Sequence, residues 1–273
     1  MGEKVNFEVV LKEAVRLPMV KIRRDEYLRR ELGKYYPAET VEKAIAHNPA
    51  YAGIHVNDID RIAKAGINYE TTKVTALSFG AGLPGGFAMV GTIPADLAQY
   101  FGHILRILQK LIYLYGWEAL FMEDGSVDDE TANLITLFVG VMFGVNGAAS
   151  IVTKVSASAA QRASKVIAQK ALTKGAIYPI VKKIAQILGV RMTKEIFAKG
   201  VSKAIPVIGG VASGGLTFAT YKPMARKLRK YLAGLPCADV EYYKNSSNFD
   251  KPVDVEFSEE AAEDIIADMD KEL

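Results

Sequence analysis

The sequence predicts an all-α protein: a multi-helix bundle with glycine-rich packed central helices and a flexible acidic C-terminal tail. Three observations carry that prediction. Apolar residues recur at spacings of three and four through most of the chain, while β-branched residues seldom alternate with polar ones, so the helical period is present and the strand period is not. Three long stretches carry no charge, residues 74–95, 131–153 and 204–221, and all approach bilayer-spanning length. Each contains glycines four apart, Gly82 and Gly86, Gly140 and Gly144, Gly210 and Gly214, a spacing that lets helix backbones pack closely.

Taken in order, Pro18 breaks the first stretch, and a charged helix is expected over residues 19–32, ended by Gly33. Tyr35-Tyr36-Pro37 reads as a loop, and residues 40–47 as a short helix stopped by Asn48-Pro49, since a residue before proline is pushed out of the α region. Asn57 is positioned to cap the next helix, with Asp60 facing the positive end of its dipole. After Pro94, which is placed to open a helix, the chain is apolar on nearly every side to Tyr115. Only a narrow polar stripe remains, at Arg106, Gln109, Lys110 and Tyr113, so this helix should be largely buried. Gly116-Trp117 ends it, and residues 122–130 form an acidic connector. Basic amphipathic segments follow at residues 155–172 and 180–188, and Pro223 opens or kinks a last basic helix that Gly234 to Pro236 ends. In the tail the only helical candidate is residues 258–273, without a capping box because Ala261 stands three residues after Ser258.

Charge is segregated along the chain although the formal net charge is only +3. Residues 131–238 hold 16 Lys and Arg against one acid, Glu195, whereas residues 239–273 hold 12 acids against three lysines. Such a pairing points to an anionic membrane surface, a membrane protein, or contact between the acidic tail and the basic helices. Lys182, Lys183, Arg226, Lys227, Arg229 and Lys230 are the lipid-contact candidates. A solvated basic face accounts for the same residues equally well. Nucleic acid is disfavoured because lysine dominates the block and few aromatics interleave with it. The single Cys237 excludes an internal disulfide framework and any cysteine zinc cluster, and the mixed-charge N-terminus lacks the apolar core of a signal peptide. A cytoplasmic protein, peripheral at the inner face of the cell membrane, is therefore expected.

Certain residues carry a family likeness. Gly85-Gly86-Phe87, Thr92-Ile93-Pro94-Ala95-Asp96-Leu97 and Tyr115-Gly116 resemble the central signature of the EcsC family. Ile205-Pro206-Val207-Ile208-Gly209-Gly210, ahead of a glycine-rich stretch, resembles its C-terminal signature. The likeness spans roughly residues 57–233 and divides the chain into an N-terminal helical segment (1–56), an EcsC-like helical domain (57–236) and an acidic mobile tail (237–273). It implies a helical, cytoplasmic or membrane-associated bacterial protein, linked through its namesake to an ABC transporter. It implies no reaction.

Chemistry has one candidate site. Asp96, Tyr100 and His103, spaced by four and three, share one face of a helix, where a carboxylate near an imidazole can form an acid-base pair or bind a small ligand. The structural alternative is that Asp96 answers the helix dipole in the first turn and His103 is a satisfied core histidine. No catalytic residue is assigned and no cofactor is expected. Metal binding is not expected either, because the three histidines, His47, His55 and His103, include no pair four apart with a helical glutamate. Gly80-Ala81-Gly82-Leu83-Pro84-Gly85 has dinucleotide-loop spacing, but Pro84 inside it and the absence of strand signals around it favour a helix-breaking turn. The expected function is thus a non-enzymatic membrane-associated helical protein. A ligand-binding protein or enzyme using Asp96, Tyr100 and His103 is the alternative, and a pore former that hides helical hairpins until insertion is a third.

Overall fold

The computed structural model describes residues 7–81, 89–90, 93–120, 127–160, 182 and 221–244. Within them the fold is all-α, as expected. The helices are α1 (Phe7–Val15), α2 (Arg24–Leu32), α3 (Ala38–Ala46), α4 (Val56–Ala81), α5 (Ala95–Leu114), α6 (Asp129–Phe143), α7 (Asn146–Ala160), α8 (residues 221–232) and α9 (Val240–Lys244). A two-residue antiparallel bridge pairs Met89 with Pro94 and Val90 with Ile93 just ahead of α5, and a 3-10 turn, Pro236–Ala238, precedes α9.

Helix α5 is the axis of the core. Phe101, Ile104, Leu105, Ile107, Leu108 and Ile112 are all fully buried, with α1, α2 and α4 packed around them. Of the expected polar stripe on α5, Gln109, Lys110 and Tyr113 are buried with the rest and Arg106 is half-buried, and the stripe satisfies backbone that would otherwise be stranded. Arg106 Nη1 donates to the Met19 carbonyl (2.7 Å), Gln109 Nε2 donates to the Val20 carbonyl (2.6 Å), and the Ile22 amide donates to Gln109 Oε1 (3.3 Å). A buried connection needs such partners. It also corrects the expected start of the second helix: residues 19–22 spend their polar groups on α5, and α2 begins at Arg24. Arg24 in turn donates to the carbonyls of Ile45 and His47 at the end of α3 and to that of Trp117 beyond α5. The packing therefore crosses the boundary drawn at residue 57.

Three local expectations shift. Gly33 closes α2 in an ordinary right-handed conformation, with φ −61°, so the helix ends without a left-handed glycine. Helix α3 starts directly after Pro37, two residues earlier than expected. Asn57 lies inside the first turn of α4 and does not cap it; the His55 carbonyl accepts the first amides, from Asp58 and Ile59.

The first two charge-free stretches do not form continuous rods, and residues 204–220 of the third lie outside the described residues. The first is divided between the end of α4 and the start of α5, and the second between α6 and α7. No helix among the described residues is long and apolar enough to cross a membrane. Asp128 caps α6 by accepting the Thr131 amide (2.7 Å). At its other end Gly144, with φ 82°, turns the chain while its amide returns to the carbonyls of Gly140 and Val141. Gly140 is buried inside α6, whereas Gly144 ends that helix. Gly82, Gly86, Gly210 and Gly214 lie outside the described residues.

The C-terminal part of the body closes over the others. Cys237 is fully buried, and Asn48 Nδ2 donates to the Tyr243 hydroxyl (2.8 Å). Residues 237–244, assigned to the tail from sequence, thus belong to the packed body. The remainder of the tail lies outside the described residues.

Candidate functional site

Of the predicted trio, His103 is buried at 3 % exposure, Tyr100 is half-buried with its ring edge-on to Phe101 (6.3 Å), and Asp96 sits in the first turn of α5 with its side chain outside the described residues. His103 is not a satisfied core histidine. Neither ring nitrogen has a hydrogen-bond partner among the described residues, although its backbone carbonyl accepts from the Tyr221 hydroxyl (3.2 Å). Burial pushes its pKa down to about 4, so the imidazole is neutral near pH 7.

What lies near His103 is a carboxylate that sequence reasoning missed. Glu70, on α4 and fully buried, accepts at Oε1 from Lys110 and from Arg106 Nε (3.2 Å) on α5. Burial opposes its charge, but the hydrogen bond and attraction of Lys110, helped by Arg106, hold its carboxyl below the usual range. Its other oxygen, Oε2, is buried without a partner among the described residues, as is Thr75 Oγ1 farther along α4. Lys110 also lies between the rings of Tyr27 and Tyr69, 5.6 and 5.7 Å from their centroids. Sequence held one usable signal: two cations four apart on an otherwise apolar helix require an anion to face them.

A second charged node joins α4, the end of α5 and α8. Asp60 accepts from the Tyr115 hydroxyl (2.5 Å) and pairs with Arg229. Arg229, a lipid-contact candidate from sequence, is therefore corrected: it is 8 % exposed, and its charge is used inside the protein. The rest of α8 divides by face. Tyr221, Met224, Ala225, Leu228 and Leu232 are buried, while Arg226, Lys227 and Lys230 are exposed. Lys182 is helical and exposed, and Lys183 lies outside the described residues. Helix α8 is held against α7 by Tyr231, whose hydroxyl meets the Ala149 carbonyl (2.5 Å) and Thr153 Oγ1 (2.7 Å).

Two of the residues behind the family likeness have structural work. Tyr115 engages Asp60, and Gly116, with φ 94°, passes so close to the Cys237 carbonyl that a Cβ would collide with it. No group of three or more His, Cys, Asp and Glu side chains among the described residues is arranged to hold a metal ion. Comparison with protein-family models, curated proteins and solved structures gave no match.

Proposed function

We propose that the chain is a non-enzymatic, peripherally membrane-associated helical protein of the EcsC type that binds anionic lipid through the outer face of α8. One observation carries the reading: Arg226, Lys227 and Lys230 stand exposed on one face of a helix whose opposite face is anchored in the core. Spacings of one, three and four put them side by side. All three are exposed and none forms an ion pair among the described residues, although the ammonium end of Lys227 lies over Gly144 at the end of α6. Each such cation near an anionic leaflet contributes about 1 kcal/mol, falling off within a Debye length. The likeness to the EcsC family and the 16-to-1 excess of Lys and Arg over acids in residues 131–238 support a surface-bound role at the inner face of the cell membrane. The acidic tail, in this reading, competes with lipid for the basic helices.

Vesicle flotation tests this directly. The full chain and a chain ended at Lys244, which spares the Asn48–Tyr243 contact, are floated with neutral vesicles and with vesicles containing an anionic phospholipid, at low and high salt. The expected result is flotation with anionic vesicles only, salt-sensitive and stronger for the shortened chain. Failure to float with anionic vesicles at low salt overturns the lipid reading, and dye release from the vesicles favours pore formation instead.

A further inference from the structure

We propose that the lipid-binding surface spans two helices: α7 lies beside α8 with its exposed side turned the same way, and Lys154 adds a fourth cation facing the anionic leaflet. The inference rests on the assignment of α8 to anionic lipid and extends it to a second helix.

Two contacts fix how the helices lie. The ammonium end of Lys227 lies over Gly144, two residues before α7 begins. Tyr231, one turn farther along α8, meets the Ala149 carbonyl (2.5 Å) and Thr153 Oγ1 (2.7 Å). The contacts advance together along both helices, so α7 and α8 run side by side in the same direction. Rotation about each axis follows from a turn of about 100° per residue. On α7 the exposed residues are Ser150, Thr153 and Lys154, and the two positions that meet Tyr231 centre about 70° to one side of them. On α8, Tyr231 stands about 90° from the centre of Arg226, Lys227 and Lys230, in the opposite sense. For helices running the same way, opposite senses turn both exposed faces to the same side. The other faces are spent on the core, where Ala148, Ile151, Val152 and Val155 of α7 and Leu228 and Leu232 of α8 are fully buried.

Charge selects the partner. Neither residues 146–160 nor residues 221–232 include an acid, so nothing on either helix offsets the four cations. Lys154 lies about 4.5 Å farther along α7 than the level of Tyr231, and the axes of packed helices are about 8 to 10 Å apart. A basic patch two helices wide is a broad surface, which complements a continuous anionic leaflet; a single soluble anion would call for cations converging on one point.

The test uses the full chain and anionic phospholipid vesicles at low salt. Lys154→Gln should weaken partitioning about fivefold, as each α8 cation does, whereas Lys34→Gln, an exposed lysine after α2, should leave it unchanged. Cys237 is fully buried, so an environment-sensitive fluorophore can be attached selectively at Ser150→Cys or, for comparison, at Thr72→Cys on α4. A blue shift with anionic vesicles is expected at position 150 and not at position 72. Unchanged partitioning of Lys154→Gln, or a label at 150 that responds no more than one at 72, overturns the two-helix surface; the α8 reading survives that result if its own variants still weaken binding. A label at 150 that shifts without vesicles when residues 245–273 are removed assigns the surface to the acidic tail instead. If the unsubstituted protein does not partition, both readings fall together.

Discussion

Asp60 shows how a single side chain is asked to hold three elements, since Tyr115 at the end of α5 and Arg229 on α8 both spend their polar groups on it. Burial alone would raise its pKa, but the Tyr115 hydrogen bond and the Arg229 pairing outweigh it and hold the carboxyl low. A folded-state pKa below the unfolded one contributes stability that is complete above the unfolded value, about 3.9, and is lost as pH falls through the folded one. The stability gap between the protein and Asp60→Asn, measured by urea unfolding, should hold steady from about pH 7 to pH 5 and close below about pH 4. His103 acts in a different window. Its pKa falls to about 4 in the folded protein, so the unfolded chain binds the extra proton between that value and the ordinary 6.5. Stability should drop on the order of 3 kcal/mol as pH falls through this range, and His103→Gln should flatten that part of the profile. Glu70→Gln should cost about 3 to 5 kcal/mol in the same assay, because it leaves buried Lys110 and half-buried Arg106 without their anion. These roles were only partly legible. A glutamate between Tyr69 and Thr71 looks like any solvated helix charge, and its burial depends on which helix packs against α4. Arg229 misled for the same reason: among the neighbouring Arg226, Lys227 and Lys230 nothing in the sequence marks the one cation that turns inward.

Among the elements, α5 was the most readable, since Pro94 and Gly116 bracket it and a nearly uniform apolar surface leaves it no place but the core. Helix α2 was less so. Residues 19–23 have helical spacing, but Arg106 and Gln109, more than eighty positions away, hold them in a turn and an irregular connection. Local pattern cannot register a partner at that distance. The second charge-free stretch illustrates a related ambiguity, because its glycines could equally line a helix contact or end a helix. At Gly144 the backbone has φ 82°, which settles its use as a terminator. Gly144 and Gly116 both sit in the left-handed region, where a side chain costs about 1 kcal/mol or more. Their neighbours differ: a Cβ at Gly144 would meet the ammonium end of Lys227, which can swing away, whereas one at Gly116 would meet the Cys237 backbone carbonyl, which cannot. Urea unfolding should therefore rank Gly116→Ala as clearly more destabilising than Gly144→Ala, by about 1 to 2 kcal/mol. Equal losses would mean that the Cys237 turn yields as easily as a lysine side chain.

For the molecule as a whole, the arrangement joins an inward-looking half to an outward-looking one. The core is continuous from α1 to α9, and its buried charges are concentrated along α4, where Glu70 and Asp60 receive cations from α5 and α8. Fixing α8 through Arg229 and Tyr231 leaves Arg226, Lys227 and Lys230 exposed on its other side, the end of Lys227 lying over Gly144, which turns an excess of lysine in the sequence into an oriented basic face. That face is the centre of the functional account. The most direct measurement is partitioning onto vesicles rich in an anionic phospholipid for the protein and for Arg226→Gln, Lys227→Gln and Lys230→Gln, singly and together, with circular dichroism to confirm that the helices persist. At about 1 kcal/mol per cation, each substitution should weaken binding about fivefold and the triple variant about a hundredfold. Unchanged partitioning of a fully helical triple variant would contradict the assignment of α8 to the membrane surface.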